Sequence, residues 1–189
     1  MLSNQDRYLT VVFTGPPSSG KTTAINILSQ SKFGNAIPES AAEVFLEQKD
    51  IVENPRGDED AFTQAVFNRQ LQKETNMRKG NGGIYLLDRS LIDCFAYAAL
   101  TDGNIHGAES IILHKRYSMV FFFPPITFKD NGIRNEFDKA NRSKIEEKLL
   151  ETYYKTGHDV IMLPQGSPES LCKLIVERIT KSYPEREVS

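Results

Sequence analysis

Residues 15–22 read Gly15-Pro16-Pro17-Ser18-Ser19-Gly20-Lys21-Thr22, the pattern G-x-x-x-x-G-K-T, directly after the apolar run Leu9-Thr10-Val11-Val12-Phe13. The amphipathic stretch Thr23-Ala24-Ile25-Asn26-Ile27-Leu28 follows. Buried strand, glycine-bounded turn and helix form the setting in which this pattern makes a phosphate-binding loop. Such a loop points successive backbone N–H groups inward at the positive end of a helix dipole, and so holds a phosphate chain. Gly15 and Gly20 let the backbone turn or approach phosphate without a Cβ in the way. Lys21 is expected to reach the β- and γ-phosphates, and the Thr22 hydroxyl to ligate Mg2+. Ser18, Ser19 and Thr23 complete the expected nucleotide-binding set. The competing reading is a Gly/Ser-rich turn that binds nothing. The flanking strand and helix weigh against it.

Outward from this loop, apolar runs alternate with helical patterns, which implies βα units and a parallel sheet. Strands are expected at Tyr8–Thr14, Asn35–Pro38, Gly83–Leu87, Met119–Phe123 and Asp159–Leu163. Ile84-Tyr85-Leu86-Leu87 and Val120-Phe121-Phe122-Phe123 are apolar throughout, as strands covered on both faces are. The phenylalanines therefore read as strand core and not as a stacking platform. Helices are expected at Lys21–Gln30, Ser40–Lys49, Asp60–Lys79, Ser90–Leu100, Ala108–Arg116, Lys139–Thr156 and Ser167–Lys181. Ser167 followed by Pro168 is an N-cap with proline in the first turn, and Ser90 is a second candidate cap. The tail from Tyr183 is polar and reads as frayed.

The chain has 189 residues, enough for one domain with a substantial core, so residues 1–189 are expected to form a single domain. A net charge of -2 leaves no electrostatic footprint for nucleic acid or an anionic membrane. No apolar run approaches a bilayer span, and the first residues lack a signal-peptide core, so a cytoplasmic protein is expected. Cys94 and Cys172 stand alone in helical stretches and read as small buried hydrophobes. His106, His114 and His158 show no ligand spacing and read as surface or internally satisfied residues.

In an open parallel sheet, ligands bind beyond the carboxyl ends of the strands. Beyond the first strand lies the phosphate loop, beyond the second Pro38-Glu39-Ser40, and beyond the third Asp88-Arg89-Ser90. Asp88 is placed to hold Mg2+ directly or through water. Helix capping, or pairing with Arg89, is the alternative for it. Arg89 cannot take a proton from water, but it can stabilise phosphoryl oxygens or hold an acceptor.

With those residues in view, the chain resembles the P-loop kinases of small metabolites. Deoxynucleoside and thymidylate kinases share the layout, and the nicotinamide-riboside kinase group, with its related AAA-type ATPase/kinase domains, resembles it most. The resemblance rests on Gly15–Thr22, on Pro38-Glu39-Ser40-Ala41-Ala42-Glu43, on Asp88-Arg89-Ser90, and on the late segment Asn131-Gly132-Ile133-Arg134. The late segment departs from the family pattern: Asn131 stands where an acid is expected, with Asp130 one place earlier. The resemblance implies an α/β, three-layer P-loop NTPase fold, with a five-stranded parallel sheet between helices and a helical lid.

It also implies roles. Glu39 becomes the candidate base for an acceptor hydroxyl, its alternative being a first-turn acid that the helix dipole favours. Residues 124–142 become a lid whose cations reach the transferred group on closure, with Arg134, after a glycine, preferred to Arg142. A solvated charge run is the alternative there. In the helix from Asp60, Phe62, Ala65 and Val66 read as core, and Arg69 or Gln70 as candidates to hydrogen-bond a substrate base.

Two function classes follow. One is a phosphotransferase moving the γ-phosphoryl group of ATP (or GTP) with Mg2+ to a small, nucleoside-like acceptor. The other is a nucleotide-binding switch or slow ATPase/GTPase acting through a protein partner. The absent guanine-reading Asn-Lys-x-Asp weighs against a Ras-type GTPase, and the absence of a second strand-tip acid against a motor ATPase. Arg89 and the lid cations favour the kinase. A second copy of the chain stays open as a partner, whereas nucleic acid and membrane do not.

Overall fold

The computed structural model describes residues 8–48, 59–77, 82–101, 103–125 and 136–185, with side chains in the last stretch from residue 141. In chain order the elements are β1 (Tyr8–Thr14), α1 (Lys21–Gln30), β2 (Asn35–Ile37), α2 (Ser40–Gln48), α3 (Glu59–Met77) and β3 (Gly83–Asp88). Then come α4 (Leu91–Ala98), α5 (Ala108–Leu113), β4 (Met119–Phe122), α6 (Glu136–Lys155), β5 (Val160–Met162) and α7 (Pro168–Ser182). All five strands pair in parallel in the order β2-β3-β1-β4-β5.

Strand periodicity divides the core. Leu9, Val11 and Phe13 of β1, with Phe121 and Phe123, turn to one face, where Ala24, Ile25 and Leu28 of α1 and Leu171, Ile175 and Ile179 of α7 cover them. Val12, Leu87 and Val120 turn to the other, against α2, α3, α4, α5 and Tyr153 of α6. Because side chains alternate along a strand, both sets can be apolar only if both faces are covered. That is why the central runs contain so little polar sequence. Phe121, Phe122 and Phe123 are fully buried, as expected of strand core. The connection after β1 leads to one side of the sheet and that after β3 to the other. The carboxyl ends of these adjacent strands are therefore a topological switch point, the place where such sheets bind ligands.

The helix limits have local causes. The Ser90 side chain accepts from Ile92 N, and Asp93 returns a bond to Ser90 N, closing a capping box on α4. Ser167 accepts from Ser170 N, with Pro168 opening α7. Helix α5 ends at Leu113, short of the expected Arg116. Lys115 turns inward to Glu74, and Arg116 Nη1 donates to the carbonyls of Leu113 and Lys115 at 2.9 and 2.6 Å. Tyr183, where the expected frayed tail begins, is held by its hydroxyl, which donates to Ser118 O at 3.0 Å; residues 186–189 lie outside the described residues. Cys94 and Cys172 are buried free thiols, as expected, and burial pushes the Cys94 thiol well above the usual range. His106 and His114 lie at the surface, while buried His158 accepts from Tyr117 N through Nε2 at 3.2 Å. Among the described residues, no helix is long and apolar enough to cross a membrane.

One buried side chain joins α3, α4 and the loop before β4. Glu74 of α3, 1% exposed, accepts from Gln70 Nε2 and Leu91 N (both 3.1 Å), from Lys115 Nζ (2.5 Å) and from the Tyr117 hydroxyl. Glu74→Ala leaves Lys115 without its partner in a dry site, so the free energy of unfolding in urea should fall by about 3–5 kcal/mol. A fall under about 1 kcal/mol, as at an exposed pair, would contradict this role.

Candidate active site

The phosphate loop takes its shape from backbone geometry. Gly15 has φ +133, and a Cβ there would lie 2.3 Å from the carbonyl oxygen of Phe123, so only glycine lets β1 and the residue after β4 approach this closely. Ser18 has φ 58, and Gly20 caps α1 in the left-handed region with φ 93 and no side-chain cap. Helix α1 carries no acid in its first turn. Its leading N–H groups thus keep their capacity for an anion, and the positive dipole end is not neutralised.

Lys21 is folded back into this loop. Its Nζ donates to Gly15 O (3.1 Å), Pro16 O (2.8 Å) and Ser19 Oγ (3.1 Å), and the residue is 5% exposed. Burial, reinforced by the Arg89 guanidinium, lowers its pKa from 10.5 to about 7. Thr22 and Thr23 lie exposed on the first turn of α1, and the Thr22 hydroxyl donates to Asp88 Oδ2 at 2.5 Å.

Asp88 ends β3 and pairs with Phe13 across the β1–β3 ladder. It is 2% exposed, and burial raises its pKa against the pull of Thr22 and Lys21. Its second oxygen, Oδ1, is buried and has no hydrogen-bond partner among the described residues. A buried carboxylate oxygen with free lone pairs, beside a threonine hydroxyl at a phosphate loop, fits a Mg2+ ion that draws its other ligands from phosphate and water. Among the described residues, no cluster of three or more His, Cys, Asp or Glu could hold a metal ion alone. The donor set thus suits a metal that arrives with its nucleotide. Capping, the alternative for Asp88, falls instead to Ser90 and Asp93.

Arg89 follows with φ 72, a region few non-glycine residues adopt. Its N–H donates to Phe13 O at 3.1 Å, extending the ladder. Its side chain, 11% exposed, donates from Nε to Glu39 Oε1 at 2.7 Å and from Nη1 to Gly15 O at 3.3 Å. The guanidinium lies 4.7 Å from the Tyr97 ring centroid. Nearby carboxylates and that ring keep the guanidinium charged despite burial. Glu39, just before α2 and half-buried, is thus brought to the phosphate loop through Arg89.

Five of the expected residues, Lys21, Thr22, Glu39, Asp88 and Arg89, meet at one sheet edge. Arg134 and the segment Asn131–Arg134 lie outside the described residues, as do the side chains of Lys129 and Lys139. Arg69 and Gln70, the candidates to hydrogen-bond a base, are engaged by other side chains in this structure. Arg69 donates to both oxygens of Glu47 at 2.8 and 2.7 Å on the outer face. Gln70, 1% exposed, accepts from Ser40 Oγ at 2.7 Å and donates to Glu74 and to Arg89 O, so both ends of its amide are engaged. Sequence reasoning also missed Asp93, Thr14 and Tyr153, which form a buried network beneath Arg89. Ser90-Leu91-Ile92-Asp93 carries the spacing of a capping box, the one signal that could have singled out Asp93.

A five-stranded parallel sheet with this order, a glycine-bounded anion loop after its first strand and an acid at the tip of its third define a P-loop nucleotide-binding α/β protein. More narrowly, the chain belongs to the AAA domain family, which matches it over residues 10–170. Among solved structures, the NadR protein in complex with NR is similar at TM-score 0.70 and 22% identity, over 93% of this chain and 49% of that one. A deoxyadenosine kinase from M. mycoides, with dCMP and dCDP bound, is similar at TM-score 0.64 and 11% identity, over 92% of this chain and 100% of that one. Thymidylate kinase from Candida albicans is similar at TM-score 0.64 and 14% identity, over 96% and 94%. At these identities the likeness is one of fold, and the chain spans about half the length of the NadR chains. No curated protein matches the chain in sequence.

The state of Lys21 has a measurable consequence. With a pKa of about 7 in the free protein, the amine is largely neutral at pH 8. A polyphosphate favours the ammonium form, so its binding at pH 8 takes up a proton and its affinity falls as pH rises from 7 to 9. Calorimetry of Mg2+–nucleotide binding in buffers of different ionisation enthalpy should register this uptake at pH 8. Binding without proton uptake would contradict it.

Proposed function

We propose that the protein is a phosphotransferase that moves the γ-phosphoryl group of a nucleoside triphosphate to a hydroxyl of a small, nucleoside-like acceptor. The observation that carries this reading is the Arg89–Glu39 pair at the rim of the phosphate loop. A switch or a simple hydrolase needs only the loop and the Asp88–Thr22 pair. Here the Glu39 carboxylate is held 2.7 Å from a cation that also touches the loop at Gly15. The similarity in fold to NadR, deoxyadenosine kinase and thymidylate kinase supports the same reading.

In this mechanism the loop N–H groups and Lys21 hold the phosphate chain, ATP or GTP alike. Lys21 then exchanges its carbonyl partners for phosphoryl oxygens. Thr22 and Asp88 would hold Mg2+, which would supply positive charge to the phosphate chain. The Glu39 oxygen not engaged by Arg89 accepts the acceptor's hydroxyl proton as the new P–O bond forms and the bond to the β-phosphate oxygen breaks. Arg89 keeps that carboxylate within reach of the loop and adds positive charge where the transition state gathers negative charge.

The direct test incubates the protein with ATP–Mg2+ and a panel of nucleosides, ribosides and nucleotides, reading products by mass against a control without acceptor. Transfer to a member of the panel is expected; hydrolysis alone would contradict the proposal. With that acceptor, Glu39→Gln should lower kcat by about 10²–10⁴ while leaving nucleotide affinity within about threefold. Asp88→Asn should raise the Mg2+ concentration needed for half-maximal rate, and an unchanged metal dependence would remove Asp88 from the metal site.

A further inference from the structure

Asp93 lies in the first turn of α4 and is fully buried. Its Oδ2 accepts from Ser90 N at 3.0 Å, from Ser90 Oγ at 3.1 Å and from the Tyr153 hydroxyl of α6. Its Oδ1 accepts from Thr14 Oγ1 at 2.6 Å and stands 3.8 Å from Arg89 Nη1. Tyr153 is fully buried, and its hydroxyl lies 2.7 Å from Ser90 Oγ.

A capping box requires only the Ser90 part of this set, and a solvent-facing acid would serve it. A carboxylate sealed from water costs far more, and is retained only where donors and a counter-charge compensate it. The contacts beyond the cap lead to three places: Thr14 at the end of β1, Tyr153 on α6 and Arg89 at the tip of β3. Arg89 is the residue that needs holding. A non-glycine backbone at φ 72 persists only where its surroundings over-determine it. Glu39 engages its Nε and Asp93 faces its Nη1, so two carboxylates act on different nitrogens of one planar fork and fix its orientation.

We propose that Asp93 is a positioning residue: its buried charge, braced by Tyr153, sets the plane of the Arg89 guanidinium at the Gly15 carbonyl and ties α6 to the rim of the phosphate loop. Its consequence for rate rests on the phosphotransferase reading above. Its consequence for Arg89 does not.

Asp93→Asn keeps the shape and removes the charge, and Tyr153→Phe removes one donor while keeping the ring. The first readout is nitrogen-15 NMR of the arginine side chains, with Arg89 assigned through Arg89→Lys. In the wild type the Arg89 Nη signals should be separate, reporting a guanidinium that rotates slowly. In Asp93→Asn they should coalesce, and in Tyr153→Phe they should broaden. The second readout is turnover with the acceptor identified above. Asp93→Asn should lower kcat about 10- to 100-fold with the KM for nucleotide within about threefold. In an Arg89→Lys background it should cost nothing further, because it acts through Arg89.

An Arg89 spectrum unchanged in folded Asp93→Asn overturns the inference, as does a full additional loss of kcat in the Arg89→Lys background. If Asp93→Asn does not fold, Tyr153→Phe takes its place in both comparisons: broadened Arg89 signals uphold the inference, and an unchanged spectrum or a full additional loss of kcat overturns it. A wild type that transfers to no acceptor while its Arg89 signals respond to Asp93→Asn overturns the phosphotransferase reading and upholds the positioning of Arg89.

Discussion

Phe13 and Asp88 lie side by side where β1 and β3 end, and the bond from Arg89 N to Phe13 O carries the ladder one residue further. The chemistry of the molecule depends on that register. A slip of one residue would turn Asp88 away from Thr22 and send every apolar side chain of β3 to the opposite face. The register holds because both faces of β1 are buried, one against α1 and α7 and the other against α2 to α6. Packing in the core thereby fixes the distance between the phosphate loop and the strand-tip acid.

Electrostatics at this edge are nearly self-contained. Two buried basic groups, Lys21 and Arg89, meet three acids, Asp88, Glu39 and Asp93. Burial alone would neutralise Lys21 and protonate Asp88, and both groups are shifted in those directions. On the proposed reading, a bound triphosphate with Mg2+ would supply the charges that reverse both shifts.

Much of the fold was legible because its signals are local. The strand Tyr8–Thr14, the helix Lys21–Gln30 and the caps at Ser90 and Ser167 follow from apolar runs, a glycine and hydroxyl chemistry within a few residues. The strand-tip residues Glu39, Asp88 and Arg89 were legible because parallel sheets collect ligands at one edge. What could not be read was pairing across long separations. Nothing near Gln70 in the chain shows that its amide ends at Ser40 and Arg89 O, and no pattern links Tyr153 to Asp93 sixty residues earlier. These bonds depend on how α3 and α6 lie against α4, which is decided by the packing of the whole sheet. The inward turn of Lys115 that shortens α5 is of the same kind.

The central claim is that residues 15–22 form an anion cradle, completed by the Lys21 ammonium and served by a metal between Thr22 and Asp88. A crystal structure with Mg2+ and a non-hydrolysable triphosphate analogue tests it most directly. The account predicts the β- and γ-phosphates against the loop N–H groups, Lys21 Nζ moved from the Gly15 and Pro16 carbonyls onto phosphoryl oxygen, and the metal bound at Thr22 Oγ1 with Asp88 in its first or second coordination shell. A loop left empty at saturating analogue, or a nucleotide bound elsewhere on the sheet, would contradict it.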